Sequence, residues 1–222
     1  MRTALKLMSF VFSLLISHRA IGNPMQINYV EAAAAEVKAW QAYYQKNPAV
    51  LLERTGVLLA VQYPIKDADT IKRIANEFFI AYHKFGTLPQ DSSEQNYQQE
   101  VLPLIVKAYT SLKETINAPW DAADAAKADL SWWVARRQDK QKDPELVGKK
   151  IELLYSILYG LNNDDRGFLG RAGYFRATAA RYRDLCQDKW GAISEEDWKI
   201  IQLLLEESYD NLNRSALPPY TG

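Results

Sequence analysis

The sequence predicts an all-α protein, a helical bundle of about eight helices. Three observations carry this. Apolar residues recur at helical spacing along nearly every segment, and no stretch shows the alternation of a half-buried strand. Side-chain caps mark the helix starts, twice as a cap followed by proline, at Asn47-Pro48 and Asp143-Pro144. No break between periodic segments exceeds about seven residues, which favours one compact body over two independent domains.

Taken in order, the first helix runs from about Met25 to Lys46, with Ile27, Val30, Val37, Trp40 and Tyr44 as its apolar stripe. Pro48 opens the second, which stops at Pro64. Asp67 caps a third, bearing Ile71, Ile74, Phe78, Tyr82 and Phe85 and ended by Gly86. Ser92 with Gln95 has the form of a capping box and opens a fourth, to about Asn117, which Pro103 kinks or displaces. Pro119 begins a fifth, to about Lys140, and Pro144 a sixth, to about Leu161. The seventh, from Asp164 to Asp188, is the most unusual. It has glycines at every third position (Gly167, Gly170, Gly173), then alanines and five arginines. Glycine in a helix interior costs about 1 kcal/mol against alanine, so the three read as a groove for a neighbouring helix. Ser194 with Asp197 starts the eighth, and Pro218-Pro219-Tyr220 forms an extended tail.

The halves 23–117 and 118–222 align. Asn47-Pro48 stands 96 residues before Asp143-Pro144, and Leu58 to Tyr63 matches Leu154 to Tyr159 at that offset. Trp40 falls opposite Trp132 or Trp133, and Tyr109 opposite Tyr209 at an offset of 100. A period that long exceeds any solenoid unit and fits two tandem four-helix modules from an internal duplication.

Residues 1–22 read as a secretory signal peptide. Arg2 and Lys6 give a basic start, Leu7 to Ile16 an apolar run too short for a membrane span, and Ala20-Ile21-Gly22 a cleavage site. The expectation is an exported protein, periplasmic or secreted, with no integral membrane span after cleavage. The leader removes Arg2, Lys6 and Arg19 and no acid, leaving 24 basic against 27 acidic residues. That near balance gives no electrostatic footprint for nucleic acid. Cys186 is the only cysteine, so no internal disulfide forms.

The remaining chemistry is sparse. Beyond the leader, which contains His18, one histidine, His83, and one cysteine do not make a zinc or copper site, and no cofactor motif occurs. Asp121 and Asp124 share a helix face, with Asp129 following, as in magnesium-dependent diphosphate enzymes. Both also sit in the first turns of a helix, where acids offset its dipole, so neither metal nor cofactor is expected. No nucleophile–base arrangement stands out.

Arginines are what distinguish the second half. Arg176 and Arg183 are seven apart and therefore aligned on one helix face. With Arg136 they could converge on Trp132, Tyr155, Tyr159 and Tyr174 and hold a carboxylate or phosphate. The opposing reading pairs these arginines with Asp129, Asp164, Asp184 and Asp188. The corresponding first-half helix, Asp67 to Gly86, has no interior glycine and one arginine, Arg73, so any site is expected on the second half, between the seventh helix and the fifth and sixth.

The favoured function is an exported non-catalytic protein that binds a partner protein or a small apolar or anionic ligand. One alternative is a metal-independent enzyme that clamps an anionic small molecule by charge. Exported all-helical chorismate mutases set that precedent. The chain resembles them in size, export, helical content and the turn Pro64-Ile65-Lys66-Asp67, whereas Gln62 stands where their lysine would be. The other alternative is a structural part of an envelope or secretion assembly.

Overall fold

The computed structural model describes residues 26–138, 143–162 and 167–217. The expected signal peptide, the expected helix start at Asp164 and the Pro218-Pro219-Tyr220 tail lie outside the described residues. Within them every regular element is helical: α1 (Tyr29–Tyr44), α2 (Pro48–Gln62), α3 (Ala68–Thr87), α4 (Glu94–Glu100), α5 (Leu102–Ile116), α6 (Ala122–Gln138), α7 (Pro144–Tyr159), α8 (Phe168–Trp190) and α9 (Glu195–Ser215).

Most starts follow their caps. Asn47, Asp67 and Asp143 each accept a backbone N–H of the first turn, and Ser194 with Asp197 forms a reciprocal capping box. Four boundaries differ from the sequence reading. The fourth helix is two, α4 and α5, because Pro103 can stand only in a first turn, and Val101 breaks the run before it. Ser93 rather than Ser92 caps α4, while the Ser92 side chain is buried. The α6 cap is Asp121, which accepts from the N–H groups of Ala123 and Asp124, so Pro119 lies ahead of the helix. Gly86 does not end α3, which continues to Thr87.

Short connections make successive helices antiparallel neighbours. Each packs on the one before and the one after, with α4 laid on α5, and α9 returns to pack on α1. The result is a closed ring. Asn213 of α9 fastens the start of the chain, accepting from Ile27 N and donating to Ile27 O. The neighbour order of α1, α2, α3 and α5 recurs in α6, α7, α8 and α9. Buried alanines on α1, α6 and α8 let these helices sit close to their neighbours, and the larger apolar side chains fill the ring. Val30, expected in the apolar stripe of α1, is exposed.

The three-glycine groove is only partly formed. Gly173 lies at the crossing of α8 with α7, where it meets Gly148. A Cβ on Gly148 would sit 3.0 Å from Tyr174 Cα, and one on Gly173 would sit 3.0 Å from Glu152 N. A Cβ on Gly170 would meet only the Glu152 carboxylate, at 3.6 Å. Gly167 precedes the helix as its N-cap, with φ +67°, and nothing packs on it. Among the described residues no helix is long and apolar enough to cross a membrane.

Candidate functional site

The ring encloses a cavity of about 520 Å³ whose wall takes side chains from both halves. Six of the seven expected side chains line it: Trp132, Arg136, Tyr155, Tyr159, Arg176 and Arg183. Tyr174 does not. It stands two residues from Arg176, on the other side of α8, and is exposed. The expectation of a site within the second half meets a cavity that α1, α2 and α3 wall as much as α6, α7 and α8 do.

Two polar tiers cross the cavity. They are two helical turns, or about 10 Å, apart, because each is built from residues seven positions apart on α3, α6 and α8. The upper tier gathers the carboxy-terminal ends of α1, α3 and α6 with Arg183. Exposed Gln90 and Asp188 at this end bring it to solvent. Arg136 donates to Asp184 through Nε at 3.2 Å and Nη2 at 2.9 Å, and to the Tyr44 hydroxyl at 2.7 Å. Arg183 donates to the same carboxylate at 3.1 Å, and its guanidinium lies 3.3 Å above the Tyr44 ring. Burial opposes the charge of Arg136, but the Tyr44 oxygen and the Asp184 carboxylate override it and hold its pKa above the ordinary value. Arg137 donates to Phe85 O at 2.8 Å and to Leu88 O at 3.4 Å, with its guanidinium 3.6 Å over the Phe85 ring.

The lower tier holds two buried acids. Glu36, 1 % exposed, forms an ion pair with Arg176 at 2.6 Å and accepts from the Tyr209 hydroxyl at 2.7 Å. Arg176 also donates to Tyr155 at 3.0 Å and lies 5.5 Å from the Trp132 ring centre. Burial works against its charge too, and the Glu36 carboxylate keeps it firmly protonated. Asp129 accepts from Trp132 Nε1 at 2.8 Å and from the Tyr109 hydroxyl at 3.1 Å. Burial pushes its carboxyl up to about 6, against the lowering effect of the Trp132 bond, of Arg176 and of the Tyr109 bond. Below this tier Tyr63 and Tyr159 lie parallel, with ring centres 6.5 Å apart, and Gln62 links Tyr159 to Tyr209.

Between the tiers the wall is aromatic: Trp40, Phe78, Tyr82, Phe85 and Trp133 join Trp132. Asp184 partners two arginines, as the pairing alternative foresaw. Glu36 is the acid that reading missed. Its signal was present, since Glu36, Trp40 and Tyr44 fall at successive four-residue steps and so form one line on α1. Tyr44, expected only in the apolar stripe of α1, and Arg137 were also missed.

The other candidates stand apart. Asp121 is an exposed helix cap and Asp124 binds Lys127, and among the described residues no three acidic, histidine or cysteine side chains are grouped to hold a metal. His83 is exposed, its ring 6.2 Å from that of Phe79. Cys186 is buried, its thiol pushed up first by burial and then by Asp197. No protein-family model, no curated protein and no solved structure matches this chain.

Proposed function

We propose that this chain is an exported, non-catalytic binding protein that holds one small amphipathic ligand inside its ring of helices. The apolar or aromatic body lies between the tryptophans and tyrosines, and an anionic group sits at the upper tier of Arg136, Arg137 and Arg183. The cavity itself carries the reading. Its volume of about 520 Å³ falls within the range of small-molecule pockets, and it pairs an apolar wall with a few convergent polar groups. Three guanidiniums share the upper tier with Asp184 and the exposed Asp188, which favours an anion there.

The non-catalytic part rests on the lining. Among the described residues that form it there is no histidine, cysteine, serine or lysine, and Thr55 bonds back to Leu51 O. A charge clamp draws less support, because Arg176, the deepest cation, is already neutralised by Glu36. Export rests on the amino-terminal segment. Amino-terminal sequencing of the protein recovered from its own cell should begin at Asn23, and an intact Met1 would remove export from the proposal.

The binding reading is tested by calorimetric titration with octanoate and with 4-phenylbutyrate. Saturable binding of one equivalent is expected, weakened about tenfold or more by Arg183→Met, the loss of one charge-assisted contact. Absence of binding by either probe, or full affinity in the variant, would count against it.

A further inference from the structure

We propose that the ligand of this cavity carries a protonated amine, and that the amine sits against Asp129 within the rings of Phe78, Tyr82, Tyr109, Trp132 and Trp133. This rests on the reading of the cavity as a ligand site and names the second charge of that ligand.

The two halves of the ring match tyrosine for tyrosine and acid for acid. Tyr109 and Tyr209 are counterparts on α5 and α9, and each donates its hydroxyl to a buried acid on the helix that follows in the ring, Asp129 on α6 and Glu36 on α1. The match extends upward. Eight residues beyond each acid stand Tyr44 and Arg137, and each makes a cation–π contact with its neighbour on α8 or α3. Arg183 lies 3.3 Å over Tyr44, and Arg137 lies 3.6 Å over Phe85. The two contacts correspond, with ring and cation exchanged. In the same register, seven residues below Arg183 and Phe85, Arg176 corresponds to Phe78.

One acid therefore has a directly bonded cation, and the other feels Arg176 only through space. Glu36 is paired with Arg176, whereas at Asp129 the equivalent place is taken by a phenyl ring. Among the described residues no cation bonds to Asp129, although it is 94 % buried, being 6 % exposed, and it lines the cavity. The Trp132 and Tyr109 bonds, with a weaker contact from the Trp133 side chain, occupy about three of the four acceptor positions of the carboxylate and leave one for a further donor. Rings surround that opening. Phe78 stands edge-on to Tyr109 at 5.1 Å between centres, and Tyr82 lies 5.1 Å from Trp133. A carboxylate ringed by aromatic faces suits an alkylammonium group, which gains from both the charge and the ring quadrupoles. The raised pKa of Asp129 agrees, because burial outweighs the lowering effects of the Trp132 bond and of the more distant Arg176.

With its anionic group at the upper tier, the ligand is then a zwitterion whose charges lie about 10 Å apart, the two-turn separation of Asp129 and Arg136 on α6. A matched set of chains tests it: octanoate, 8-hydroxyoctanoate and 8-aminooctanoate, titrated into the wild-type protein and into Asp129→Asn. The wild type should bind 8-aminooctanoate at least tenfold more tightly than 8-hydroxyoctanoate. Asp129→Asn should erase that preference while leaving the affinity for 8-hydroxyoctanoate in place. If octanoate binds but the amine has no advantage in the wild type, the amine inference fails and the cavity reading stands. If none of the three chains binds, both fail.

Discussion

Two glycines three residues apart on α8 have opposite structural meanings. At Gly173 a methyl group would press on the backbone of α7, which cannot yield as a side-chain tip can. Gly173→Ala is expected to cost about 2 kcal/mol or more by overpacking. At Gly170 the methyl would reach only the carboxylate end of Glu152, in ordinary contact. Gly170→Ala should stabilise by about 0.5–1 kcal/mol, through helix propensity and a less mobile unfolded chain. Thermal unfolding of the two variants decides this, and equal shifts in one direction would contradict it. The spacing of three in the sequence hid the distinction, because it was Gly148, on another helix, that selected Gly173.

Asp129 offers a second residue-level test. Its folded pKa, about 6, lies above the ordinary carboxyl value because of burial. The folded state therefore binds this proton more tightly than the unfolded state does. The resulting stability is fully present below about pH 4 and is lost as the pH rises through 6. Asparagine does not titrate. The stability of Asp129→Asn relative to the wild type should thus rise by about 2 kcal/mol between pH 4 and pH 7. Chemical denaturation at both values checks it, and a difference that did not change with pH would show that Asp129 is not desolvated.

At the scale of elements, caps and prolines made the helices legible. Asn47-Pro48, Asp67, Asp143-Pro144 and Ser194 with Asp197 act locally, through orphan N–H groups of the first turn, so sequence suffices to place them. Carboxy-terminal ends were harder. The end of α3 is held by Arg137 of α6, which bonds Phe85 O and Leu88 O, a long-range partner that no local pattern could announce. Arg137→Met keeps the apolar stem but removes the donors. It should cost about 1–3 kcal/mol, the range for hydrogen bonds to a charged group, and raise hydrogen exchange at the end of α3. Unchanged exchange there would assign the α3 end to its own turn. The site was legible in the same divided way. The alignment of Arg176 with Arg183 follows from helical period alone, but their partners Glu36 and Tyr44 come from α1, which meets α8 only after the ring closes.

For the whole molecule, closure is what makes the cavity. Each half supplies four sides, and α5 meets α6 as α9 meets α1. The neighbour order recurs, Tyr63 and Tyr159 stack at the 96-residue offset, and Tyr109 and Tyr209, 100 residues apart, each donate to a buried acid, although those acids, Glu36 and Asp129, stand 93 apart. The halves differ where charge replaces a ring, at Arg176 and Arg183, and those differences face the cavity. Under the proposed function, the ligand lies in this interior, whose polarity such exchanges set. The most direct measurement is calorimetric titration of 4-phenylbutyrate into the wild type and into Leu58→Trp, which places an indole inside the cavity wall. Saturable one-to-one binding by the wild type, lost when the indole fills the space, is the predicted result. No binding by the wild type, or equal binding by both proteins, would contradict the account.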